Sequence, residues 1–137
     1  MAGAARGSEG ARVMSRPRRR LQRPEAAIHA AVFQHLRARG APNVFAFHPA
    51  NGGYRKPIEA AIMKGMGVVA GVPDIIAIHD GRVYALELKA AGGRATPKQQ
   101  EAIAAMEAAG AYTAIAEGLD RALAYLEAWG LLRGRVS

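Results

Sequence analysis

Asp74, Glu87 and Lys89 are the residues of this 137-residue chain whose types and spacing point to chemistry. They lie in one stretch, GVPDIIAIHDGRVYALELK, from Gly71 to Lys89. Two carboxylates and an ammonium set among apolar residues are costly to bury without a charge partner. A divalent cation removes that cost. Asp74 and Glu87 are hard oxygen ligands suited to Mg²⁺ or Mn²⁺. Lys89 beside such an ion has the charge to orient a water or to stabilise developing negative charge. The competing reading is an edge hairpin on which Glu87 and Lys89 form a solvated pair.

The elements that must position these groups are two short strands. Ile75 to Ile78 is a continuous apolar run, as expected of a strand buried on both faces. His79-Asp80-Gly81 supplies the turn, with Asp-Gly the hairpin signal. Val83 to Lys89 is the return strand. Its period of two places Val83, Ala85, Glu87 and Lys89 on one face and Tyr84, Leu86 and Leu88 on the other.

The rest of the chain frames this hairpin. A helix is expected from Pro24 to about Arg39, stopped by Gly40, with the stripe Ile28, Val32 and Leu36. Glu25 shares that stripe. It is read either as a first-turn acid facing the helix dipole or as an acid reaching a metal site beneath the helix. His29 and His35 fall on different helix faces, and no histidine pair shows zinc-ligand spacing with an acid nearby. Val44 to Phe47 is a short strand. The loop from His48 to Pro57 follows, carrying Asn51, Tyr54, Arg55 and Lys56 among glycines and prolines. Its amides and basic side chains suit phosphate, and Tyr54 suits stacking on a base; a plain surface turn is the alternative.

Ile58 to Lys64 is a short helix, and Met63 and Met66 are read as core filling. After the hairpin, a glycine-containing loop carries Arg94. Thr96-Pro97-Lys98-Gln99 then opens a helix to about Ala109. Thr96 is its N-cap, and Gln99 is either the reciprocal capping-box residue or a side chain facing the site. Ala111 to Ala116 is a further strand. Asp120 is expected to cap a last helix, which packs through Leu123 and Leu126. The order of elements predicts an α/β domain, a mixed sheet flanked by helices.

Net charge is +8 and the pI about 10.6, which points to a polyanion partner, nucleic acid first. Residues 1–23 are rich in arginine and expected to be a disordered basic arm, with the domain spanning 24–137. Cysteine is absent, so disulfides, Cys-ligated zinc and thiol catalysis are excluded. No apolar run approaches the roughly 20 residues of a membrane span, and no secretory signal is evident, so a cytoplasmic protein is expected.

Glu25, the Asn51-Gly52-Gly53 loop, Gly71-Val72-Pro73-Asp74, Glu87-Leu88-Lys89 and Thr96-Pro97-Lys98-Gln99 occur in order. In this the chain resembles the PD-(D/E)XK nuclease superfamily, and within it the VRR-NUC (virus-type replication-repair nuclease) family, small stand-alone phage and bacterial type. The resemblance spans about Pro24 to Ala116. It implies that Asp74 and Glu87 bind Mg²⁺ or Mn²⁺ and that Lys89 activates water. Glu25 takes the place of the family's helix acid and Gln99 that of its helix glutamine. It further implies a homodimeric, Holliday-junction-resolvase-like endonuclease acting on branched DNA. A general or restriction-like DNA nuclease is the alternative within the same fold. A non-catalytic nucleic-acid-binding protein is the alternative from another class.

Overall fold

The computed structural model describes residues 15–50 and 56–134, with side chains from residue 24 onward. The chain runs α1 (Ser15–Arg39), β1 (Phe45–Phe47), α2 (Pro57–Gly65), β2 (Ile75–His79), β3 (Arg82–Lys89), α3 (Pro97–Ala108), β4 (Tyr112–Glu117) and α4 (Leu119–Ala128). The four strands form one sheet in the order β1-β2-β3-β4. β1 pairs antiparallel with β2, β2 antiparallel with β3, and β3 parallel with β4. A parallel pair needs a crossover, and α3 supplies it. This is the mixed α/β sheet with flanking helices that the sequence predicts.

The β2–β3 turn closes at Asp80 and Gly81, both with positive φ (55° and 75°), the conformation that makes Asp-Gly a hairpin turn. Alternation then sorts β3 as expected. Tyr84, Leu86 and Leu88 enter the core with Val32 of α1 and Leu123 and Leu126 of α4. Ile28 and Leu36 of α1 and Trp129 after α4 close round it. Each large aliphatic side chain sequestered there stabilises the fold by about 1.5–3 kcal/mol. An ion pair from Arg39 Nη2 to Glu127 Oε2, 2.7 Å, ties the end of α1 to α4.

Several expectations need correction. The helix begins at Ser15, so backbone assigned in sequence to the arm, Ser15 to Arg23, is helical, and Pro24 lies inside α1. Residues 1–14 lie outside the described residues. A starting position for Pro24 rested on its missing N–H, but that feature only weakens an interior turn and does not forbid it. The strand buried on both faces is β3, not β2. Ile78 is 43% exposed, whereas every residue from Tyr84 to Lys89 is buried. The reason is covering rather than place in the sheet: both strands have a strand on each side, but α1 packs over β3, whereas Ile78 pairs with the exposed Phe45 of the short edge strand β1.

Asp120 sits in the first turn of α4 rather than capping it; the cap position is Gly118, at φ 87°. Met66 is exposed rather than core filling, and α2 buries none of its residues.

Candidate active site

The site is built where the starts of β2 and α3 meet the C-terminal half of β3. Gly71 makes that meeting possible. Its φ is +80°, and a Cβ placed there would lie 2.5 Å from the Lys98 carbonyl oxygen and 2.8 Å from the Gln99 nitrogen. Only glycine accepts both the backbone conformation and the approach. The Gly71-Val72-Pro73 segment therefore runs hard against the first turn of α3 and delivers Asp74 to the start of β2.

Asp74 is half-buried, and its Oδ2 accepts the Leu88 backbone N–H at 2.9 Å, a bond that orients the carboxylate across the β2–β3 pair. Glu87 and Lys89 are 2% and 7% exposed, so the solvated-pair reading fails. Lys89 Nζ lies 3.4 Å from Glu87 Oε2. Burial pushes the Glu87 carboxyl up, the neighbouring Asp74 charge pushes it the same way, and Lys89 pulls it back, leaving it at about 7. Among the described residues, one ammonium thus stands against two neighbouring carboxylates, an arrangement short of positive charge.

Gln99 answers the choice left open by its position in the chain, because its amide does both things. Its Oε1 accepts the Thr96 backbone N–H at 2.9 Å, and the Thr96 hydroxyl accepts the Gln99 N–H at 3.2 Å, completing the capping box. Its Nε2 donates to Glu87 Oε2 at 2.9 Å. The cap fixes the rotamer, and the fixed rotamer aims the amide nitrogen at the site. Gln100 turns away and donates to the Ala95 carbonyl at 3.0 Å.

Glu25 lines a cavity of about 490 Å³ together with His29, His48, Asp74 and Leu88. Since α1 starts at Ser15, Glu25 is not a first-turn acid and the dipole reading is overturned. The two histidines were missed in sequence, where no His pair stands near an acid. In space, ligand atoms of His29, His48 and Asp74 all lie within 4.8 Å of one another. Two signals could have found them. His29 follows Glu25 by four residues, one helical turn. The β1–β2 register, with Phe47 opposite Ile76, sets the residue after β1 beside the start of β2. His29 is held below its ordinary value by burial and by His48, against the opposing pull of Asp74.

Of the residues assigned to nucleic-acid contact, two lie among the described residues. Lys56 and Arg94 are exposed. Lys56 precedes α2, and its backbone N–H donates to the Glu59 carboxylate at 3.2 Å. Asn51, Tyr54 and Arg55, with Gly52 and Gly53, lie outside the described residues. Among the described residues, no helix is long and apolar enough to cross a membrane.

A solved structure named "VRR_NUC domain protein" is similar to this chain, with a TM-score of 0.61. The likeness covers 81% of this chain and 97% of that one, at 23% sequence identity. The chain has a VRR-NUC-like fold. No family model matches the sequence, and no curated protein does. The fold likeness agrees with a PD-(D/E)XK-like core: a mixed sheet whose hairpin carries the acids and whose crossover helix carries the glutamine.

Proposed function

We propose that this protein is a metal-dependent DNA endonuclease that hydrolyses phosphodiester bonds and selects branched DNA. The observation that carries the reading is the convergence of Asp74, Glu87, Lys89 and Gln99 on one corner of the sheet, with two carboxylates against a single ammonium.

The donor set suits a hard divalent cation, Mg²⁺ or Mn²⁺. Asp74 and Glu87 offer oxygen ligands, and the raised Glu87 carboxyl marks a place where added positive charge stabilises the fold. When bound, the ion supplies Lewis-acid neutralisation of charge on a phosphate. Glu25 of α1 lines a cavity with Asp74, in position to take part in holding the ion. Lys89, anchored by Glu87, presents an ammonium that orients the attacking water and offsets charge as the phosphorus centre is attacked. Gln99 holds Glu87 in one rotamer, so that the carboxylate meets its ligand without reorganising. The chain needs no covalent intermediate.

The net charge of +8 supplies phosphate affinity. Residues 1–23 act as a basic arm alongside the domain at 24–137, with Asn51, Tyr54, Arg55, Lys56 and Arg94 as further contacts. Paired cuts across a junction call for a two-fold homodimer. The exposed apolar side chains Ile58 and Ile62 of α2, with Met66 beyond it, support such an assembly.

The test is cleavage of a labelled four-way junction beside linear duplex and single strand, with Mg²⁺, Mn²⁺ or EDTA. The Asp74→Ala protein is the control. Metal-dependent paired nicks on the junction are expected. Equal cutting of every substrate would keep the nuclease and remove branch selection. Tight metal-independent binding with no cutting would replace the enzyme by a binding protein.

A further inference from the structure

Beside the two acids lies a donor set of a different chemical kind. His29 comes from α1, His48 follows β1, and Asp74 begins the approach to β2, so three separate segments converge. Each offers one ligand atom, all within 4.8 Å of one another. The rings of His29 and His48 meet edge-on, with centroids 4.4 Å apart and planes at 89°. Stacking on Phe33, with centroids 5.3 Å apart, braces His29 from the other side.

Hydrogen bonds around these residues make this more than proximity. His48 Nδ1 lies 2.7 Å from the Asp74 backbone oxygen. A carbonyl oxygen only accepts, so Nδ1 carries the proton and Nε2 keeps its lone pair. That is the tautomer in which metal-ligating histidines are held, the second nitrogen donating to a carbonyl or carboxylate. The Leu88 N–H fixes the rotation of the Asp74 carboxylate without exhausting its lone pairs. All three residues face the cavity below α1, which leaves room for further ligands.

We propose that His29, His48 and Asp74 form a site for a borderline transition-metal ion, taking Co²⁺, Ni²⁺ or Zn²⁺ in preference to Mg²⁺. Imidazole nitrogen suits these ions, whereas Mg²⁺ demands oxygen donors and sheds water reluctantly. Three protein ligands leave coordination positions open to solvent or substrate. The site shares Asp74 with the acid pair of the nuclease reading but rests on the histidines, which that reading does not use.

The experiment is Co²⁺ titration of the full chain without DNA, followed by visible absorption. His29→Gln, His48→Gln and Glu87→Gln proteins are titrated in parallel, with folding checked by circular dichroism. The wild type is expected to develop saturable ligand-field bands that excess Mg²⁺ does not bleach. Each histidine substitution should weaken Co²⁺ binding by at least about ten-fold, the loss expected when a ligand of this kind is removed. Glu87→Gln should leave the bands in place. Should a histidine variant fail to fold, Zn²⁺ added to the wild type must shift the ring nitrogens of both His29 and His48 in nitrogen-detected NMR. Co²⁺ binding that is indifferent to both histidines, bands bleached by Mg²⁺, or unshifted ring nitrogens would overturn the site. Those outcomes leave the nuclease reading standing if Mg²⁺ still drives cleavage. Conversely, histidine-dependent Co²⁺ binding upholds the site even where no DNA is cut.

Discussion

The two faces of β3 are built from alternate residues of one strand, yet they obey different rules. On one face Tyr84, Leu86 and Leu88 pack into an apolar core with side chains of α1 and α4. On the other, Glu87 and Lys89 are almost as well buried but are held by an amide, a neighbouring carboxylate and each other. The first face gains stability from burial, and its side chains can be exchanged for others of similar volume at modest cost. The second gains little, because desolvating charge offsets the attraction between partners. A fold keeps such a face when the charges have a task. The difference separates residues that hold the sheet from residues that the sheet holds.

The sharpest way to break this comparison is to substitute once on each face. Lys89→Ala removes the ammonium and should reduce DNA hydrolysis by roughly 10²–10³-fold, the scale of losing one charge-stabilising donor. Single-turnover cleavage at saturating Mg²⁺ measures it. Leu126→Ala, on the packing side, should leave the rate of the folded protein near wild type. It should lower unfolding free energy by about 2–5 kcal/mol, the usual loss for a buried leucine. Urea denaturation measures that. If Leu126→Ala slows cleavage at a temperature where it is fully folded, the two faces are not separable.

The pH dependence of stability sharpens the same contrast. The Glu87 carboxyl sits at about 7 in the fold, above its ordinary value of 4.5. The folded state therefore keeps a proton that the unfolded chain has released. This contribution to stability is fully present below about pH 4.5 and is lost as pH rises through 7. In metal-free protein the loss is on the order of 3 kcal/mol. Glu87→Gln, which cannot ionise, should overtake the wild type in melting temperature as pH is raised from 5 to 8. His29 is held low by its surroundings in both proteins, so its opposite tendency at low pH cancels in the comparison. Mg²⁺ should restore the wild type at pH 8. A constant gap across the range would show that burial does not raise Glu87.

Local chemistry carries most of the fold into the sequence. Asp80-Gly81 marks its hairpin, period two sorts β3, and Thr96-Pro97 with Gln99 opens α3, because each signal acts over a few residues. Asp74, Glu87 and Lys89 are legible for the same reason: buried charges on a short hairpin stand out. Register and covering are not local. That Ile78 is left open and Lys89 is not depends on what packs over each strand, which the strand's own residues do not encode. The same holds for His29 and His48, separated by about three helix turns, a loop and a strand and joined only when α1 packs across the sheet. The start of α1 was misplaced because Pro24 satisfies the rule for a first helical position just as well as it is tolerated inside.

Gln99 belongs to both worlds, and the smallest expected effect tests it. Thr96→Ala removes only the cap acceptor, leaving Glu87 untouched, and should cost about 1 kcal/mol of stability with cleavage unchanged. Gln99→Ala removes the amide that reaches Glu87 as well as the Thr96 N–H. It should cost a similar amount of stability but also slow cleavage about ten-fold, the lower end for losing a partner of a metal ligand. Thermal unfolding and single-turnover rates measured on both proteins separate the roles. Equal rates would reduce Gln99 to a helix cap. A rate defect confined to Gln99→Ala would mean that the helix start is built to aim one amide, and that α3 owes its position against Gly71 to the site rather than to the core.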